Sequence, residues 1–168
     1  ESLLDDTTIL KIAREKLIHS KLGIHVMPGI ATINKDLKKA LDMGVDVFRV
    51  ACHCTEADIT QRHISFIRNK GKEVYGVLMM NHMAPKDVLV EEAYKMQSYG
   101  ADGVLLYDSA GASIPSDVKE KIELLVKSLE IQVGYHAHNN LGLAIANSIT
   151  AVQAGATILD GTVRGFGA

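Results

Sequence analysis

The chain has 168 residues, 47% hydrophobic and 23% charged, the composition of one ordinary soluble globular domain. Its net charge of −2 with neutral histidines gives no reason to expect nucleic acid or an anionic membrane surface as a partner. No apolar run reaches the roughly 18–20 residues that span a bilayer. The acidic start Glu1-Ser2-Leu3-Leu4-Asp5-Asp6 does not read as a signal peptide, and two close cysteines, Cys52 and Cys54, make no disulfide framework, so a reducing cytoplasm is the expected location.

Short runs rich in Val, Ile and Leu fall at 24–27, 45–52, 74–80, 103–107, 131–135 and 157–163. Such runs are what parallel strands covered on both faces look like. Longer amphipathic stretches separate them. Leu37, Ala40 and Leu41 share one helix face, and so do Ile64, Ile67 and the stem of Arg68. Pro85 before Val88 marks a further helix start, as does Ser116-Asp117 before Val118, whose helix presents Val118, Ile122, Leu125 and Leu129. Gly23, Gly44, Gly71, Gly100 and Gly155 each precede a strand, where a preceding helix would end in a left-handed cap. They recur at about 27 residues, the size of a βα unit. The unit between Gly100 and Gly155 is double, and its internal junction, Ser128-Leu129-Glu130, lacks the glycine.

Strands alternating with helices predict an α/β fold with a parallel sheet and right-handed crossovers. Eight such units in about 250 residues make a TIM (β/α)8 barrel, so six units read as an incomplete one. The rival is a complete, open, doubly wound sheet, which repeat spacing alone does not exclude. No linker divides the chain, and residues 1–168 are taken as one domain. The start at Glu1 and the stop in Arg164-Gly165-Phe166-Gly167-Ala168, within a glycine-rich stretch, give the expectation of a partial domain truncated at both ends.

Gly134-Tyr135-His136-Ala137-His138-Asn139-Asn140 is the strongest chemical signal. Residues i and i+2 of a strand project to one face, so His136 and His138 point together at a strand's C-terminal end, where parallel α/β folds build their sites. Neutral imidazoles there bind Zn, Mn or Fe, with the amides of Asn139 and Asn140 as outer partners. The plain alternative is two solvated polar residues ending a strand. In Tyr107-Asp108-Ser109-Ala110-Gly111-Ala112, Ser109 could donate to a substrate carboxylate, or the segment is an ordinary turn. Cys52-His53-Cys54-Thr55-Glu56 lacks the second pair of a structural zinc site, so the cysteines read as small interior residues, with Thr55 and Glu56 starting a helix. Met79, Met80 and Met83 are expected to fill the core. Arg49, inside an apolar run, needs an anionic partner that the sequence does not name. No Gly-x-Gly-x-x-Gly loop or P-loop lysine points to a nucleotide.

Four blocks occurring in order, Val50–Asp58, Leu78–Met83, Tyr107–Ala112 and His136–Leu141, together resemble the 4-hydroxy-2-oxovalerate aldolase family, within the superfamily of hydroxymethylglutaryl-CoA lyase and isopropylmalate synthase. The resemblance covers essentially the whole chain. It implies a TIM barrel lacking its first two strands, so that strands 3 to 8 are present. It implies Mn²⁺, or another divalent ion such as Mg²⁺ or Co²⁺, and cleavage of a 4-hydroxy-2-oxo acid such as 4-hydroxy-2-oxopentanoate to pyruvate and an aldehyde, a step of aromatic hydrocarbon catabolism. It assigns His136 and His138 as metal ligands, and His136 and Ser109 as substrate-binding. It also implies a partner, an acylating acetaldehyde dehydrogenase that receives the aldehyde. The family's Arg-Asp-Gly-type segment, which carries a third metal ligand, an arginine and the histidine base, has no counterpart here, so no catalytic base is assigned to this chain. Two alternatives stay open. One is a Claisen-type acyl transferase or lyase of the same superfamily acting on a CoA thioester. The other is an inactive piece with residual metal affinity. An amidohydrolase-like hydrolase fits less well, because its His-x-His lies on the first barrel strand.

Overall fold

A computed structural model describes residues 4–162. Helix α1 (Asp6–Lys16) leads to β1 (Gly23–Val26), and the chain then alternates α2 (Lys38–Asp42), β2 (Val47–His53), α3 (Gln61–Asn69), β3 (Glu73–Met79), α4 (Lys86–Ser98), β4 (Gly103–Asp108), α5 (Pro115–Ser128), β5 (Gln132–Ala137), α6 (Ala144–Gln153) and β6 (Ile158–Leu159). Among the described residues the strands form one six-stranded sheet, every neighbouring pair parallel, in the order β1-β2-β3-β4-β5-β6. That order settles the choice left open above. A doubly wound sheet reverses its strand order at a switch point, whereas strands that follow one another in sequence build a barrel wall. The molecule is a half-barrel.

Alternation along the strands divides the core in two. Phe48, Val50, Val74, Leu78, Val104, Leu106, Val133 and Tyr135 face outward and pack with Ile64, Ile67, Leu89, Met96, Ile122 and Leu125 of the helices in the main cluster. Fully burying one such large side chain stabilises by about 1.5–3 kcal/mol. Ala51, Val77 and Leu105 lie on the other, concave face, in a small cluster ringed by Met27, Tyr75, Met79, Tyr107 and Ile158. The cysteines are interior, as expected: Cys52 and Cys54 are free and buried.

Gly44, Gly71, Gly100 and Gly155 have positive φ, as helix-ending glycines should, but Gly23 does not and instead opens β1. The junction without a glycine needs none, because Leu129 leaves α5 in extended conformation (φ −109°, ψ 151°). Three local expectations are corrected. Helix α5 starts at Pro115, with Ile114 and not Ser116 or Asp117 as its cap, since the fixed φ of proline suits the first turn. Residues 55–56 precede a 3₁₀ turn, Ala57–Thr60, before α3 begins. Met83 is 58% exposed and fills no core.

Candidate functional site

The register brings one chemical group from each strand to the concave face. His25 of β1 stands beside Arg49 of β2, and Arg49 beside Tyr75 of β3. Tyr107 of β4 stands beside His136 of β5. Asp160 follows β6, two positions beyond Ile158, which pairs with Gly134. The period of two therefore turns Asp160 to the same side as His136.

The side chains meet. His136 Nδ1 lies 2.9 Å from Asp160 Oδ2. Arg49 Nη1 donates to that same oxygen and, at 3.3 Å, to the Tyr107 hydroxyl. The Tyr107 and His136 rings stack at 4.1 Å between centroids and 16° between planes. His25 tilts against Tyr107 at 5.9 Å. Burial by itself would raise the Asp160 pKa, but the hydrogen bonds from His136 and Arg49 override it and hold the carboxyl at about 2. Burial, with the Asp160 charge added, pushes the Tyr107 phenol up to about 12, so it stays protonated. Asp160 is thus the anion that Arg49 requires.

His138 follows β5, and its ring centroid lies 4.9 Å from that of His136. Its Nδ1 is buried with no hydrogen-bond partner. Burial, then the neighbouring His136, lowers its pKa, which favours the neutral, ligating form. The two rings, one with an orphaned nitrogen, fit a divalent ion as a partial donor set. Among the described residues no group of three or more His, Cys, Asp or Glu is arranged to hold one. The rings open onto a cleft of ≈ 830 Å³ that also takes in Asp160, Asn139, Ile145 and Ile149.

Past the paired residues, Ser109 and His138 stand at corresponding positions, each two beyond the Tyr107–His136 pair. The Ser109 hydroxyl accepts the N–H of Met80 at 3.0 Å, which leaves its own proton to donate. Met80 is the one described non-glycine residue with positive φ, at 57°, so part of the work of Ser109 is to hold a strained strand end. Asp108 is buried and ties the loop by accepting from the N–H groups of Ala112 and Ser113 at 3.1 and 3.2 Å. Asn139 is committed locally, its Oδ1 accepting the Ala144 N–H at 3.1 Å. His53 bonds Thr55 Oγ1 at 2.8 Å, and Cys54 lies against the Met80 carbonyl, so the Cys-His-Cys block makes no metal site. The sequence reading missed Asp160, Tyr107 and His25. The signal for Asp160 was there: an acid inside the last apolar run, and an arginine inside an earlier run with no counter-ion.

The chain matches the family described as HMGL-like over residues 4–168. It is 60% identical, over its whole length, to a 4-hydroxy-2-oxovalerate aldolase of Pectobacterium atrosepticum, covering 49% of that protein. It is 60% identical over 97% of its length to the enzyme of the same name from Spirochaeta aurantia, covering 48% of it. The chain thus spans about half the length of these relatives. Among solved structures, the carboxyl transferase domain of Rhizobium etli pyruvate carboxylase superposes with a TM-score of 0.84 over 94% of this chain and 29% of that one, at 19% identity, a likeness of fold.

Proposed function

The chain belongs to the HMGL-like family, and from that premise we propose that it carries the metal- and substrate-binding wall of a lyase that cleaves a 4-hydroxy-2-oxo acid, such as 4-hydroxy-2-oxopentanoate, to pyruvate and an aldehyde. The observation that carries the reading is the pairing of His136 with His138 at the tip of β5. Their rings are 4.9 Å apart, and one buried nitrogen has no partner.

In this reading His136 and His138 hold a divalent ion, Mn²⁺ or a similar one such as Mg²⁺ or Co²⁺. When bound, the ion supplies Lewis-acid stabilisation of the charge that develops on the 2-oxo group as the C3–C4 bond breaks. Neutral His138 offers its ring without competing for a proton. Ser109 turns its hydroxyl proton toward the substrate carboxylate while its oxygen stays fixed by Met80, and His136 flanks the substrate. Ser109 acts by orientation: its oxygen is held by the Met80 N–H, and among the described residues it makes no hydrogen bond to a base that would activate it as a nucleophile. The family resemblance assigns no residue of this chain as the base that takes the C4 hydroxyl proton, so residues 1–168 expressed alone are expected to release no pyruvate. The complete protein is proposed to work in the cytoplasm and to hand its aldehyde to an acylating acetaldehyde dehydrogenase, a reading that rests on the family resemblance.

The test uses the complete gene product. His138→Ala should abolish bound Mn²⁺ by elemental analysis and pyruvate release in a coupled assay, and Ser109→Ala should chiefly raise KM. Metal content unchanged in His138→Ala would rule the assignment out.

A further inference from the structure

We propose that Asp160 is a positioning residue for His136, itself anchored by Arg49, so that the ion pair across the half-barrel fixes the tautomer and the plane of a ring at the site. The inference rests on the metal reading of His136, and its geometry is independent of that reading.

Two constraints at right angles hold the ring. In its plane, Nδ1 lies 2.9 Å from Asp160 Oδ2. Across its plane, Tyr107 stacks at 4.1 Å. An ionised carboxylate only accepts, so the proton of the neutral imidazole sits on Nδ1, and Nε2 keeps the lone pair a ligand needs. Hydrogen-bonded outer partners of this kind orient a ligating ring and strengthen it as a donor. Asp160 could not do this from a flexible position. Its side chain is 15% exposed and sits just past a two-residue strand, where the Asp160 N–H donates to the Tyr135 carbonyl at 3.3 Å and so fixes the main chain but not the carboxylate. Arg49 supplies the anchor. It comes from the seven-residue β2, its side chain is 24% exposed, and it donates to the very oxygen that faces His136. It also donates to the Tyr107 hydroxyl, so one guanidinium sets both constraints. A mere wall-to-wall ion pair would need neither the shared oxygen nor the phenol.

The decisive experiment is carried out on the complete gene product. Long-range ¹H–¹⁵N correlation without metal reads the His136 tautomer, and Mn²⁺ titration reads affinity. Native protein should show Nδ1–H with a bare Nε2. Asp160→Ala should release the ring to mixed tautomers and weaken Mn²⁺ binding about 10–100-fold. Arg49→Ala should move both readouts in the same direction by less. Asp160→Asn is isosteric and serves if the alanine variant does not fold. It should weaken binding in the same sense by removing the charge that the ring and Arg49 share. An Nε2–H tautomer in the native protein overturns the proposal, as does Mn²⁺ affinity within about twofold of native in both Asp160 variants. If His138→Ala also leaves Mn²⁺ binding untouched, the metal reading fails, and the native tautomer still decides the positioning claim.

Discussion

Gly111 is where a single methyl group should disturb the site most. It lies in the loop after β4 at φ +59°. A Cβ built there would stand 2.7 Å from the Asn140 nitrogen, 2.8 Å from Asn140 Cβ and 3.2 Å from the His138 carbonyl carbon. The same loop is stitched to that segment by the Leu141 N–H, which donates to the Gly111 carbonyl at 3.2 Å. The nearest neighbours include backbone, so no rotamer change relieves the clash and the 138–140 segment itself must move. Left-handed backbone costs an L-residue roughly 1–2 kcal/mol. Overpacking against a fixed neighbour adds about 1–3 kcal/mol. Gly111→Ala should therefore destabilise the complete gene product by about 2–5 kcal/mol in urea unfolding and lower Mn²⁺ affinity by displacing His138. Gly71→Ala is the control. Its φ is +67° with nothing within 4 Å of the added carbon, so it should show the backbone cost alone. Equal losses at the two positions, or Mn²⁺ affinity unaltered in Gly111→Ala, would refute the reasoning.

Two further outcomes follow from charge and burial. The Asp46 carboxylate accepts the Leu22 N–H and pairs with Arg14, both at 2.9 Å, and the backbone bond from Leu22 is the main cause of its lowered pKa. A depressed carboxyl stabilises fully above its unfolded pKa, about 3.9, and loses that contribution as pH falls through the folded value, so Asp46→Asn should flatten the acid side of the stability curve. An unchanged acid limb would count against it. Burial pushes the Cys52 thiol up to about 12 and raises that of Cys54 as well, so a disulfide reagent at pH 8 should titrate neither in the native protein and both after denaturation. Rapid native modification of either would contradict their interior placement.

The sequence carried the sheet well and the site only in part, for a physical reason. Strands buried on both faces are written as contiguous Val, Ile and Leu, so runs such as 74–80 and 103–107 fall within a residue or two of Glu73–Met79 and Gly103–Asp108. Only Ile158–Leu159 is strand within the run 157–163, whose last residue lies outside the described part. His136 and His138 were legible because the spacing that unites them is local. Asp160 was not, since its partners sit 24 and 111 residues away and no period links them. Arg49 showed its need for an anion but not its address. Ser109 was legible as a donor and not as the support of Met80, because a left-handed methionine leaves no trace in composition.

Strands laid down in chain order give nearly every contact of this sheet a short route: each pairing closes a loop of about one βα unit. Ties across the concave face run longer: Arg49 reaches Tyr107 across 58 residues, and the longest of the described hydrogen bonds, Arg49 with Asp160, joins points 111 residues apart. Loop-closure entropy grows with the logarithm of that separation, so this tie is the one least able to form by itself. It becomes inexpensive only once the intervening strands have already brought the two ends together. The ring that Asp160 steadies is therefore ordered by the completion of the wall, and it reports on the assembly of the whole half-barrel.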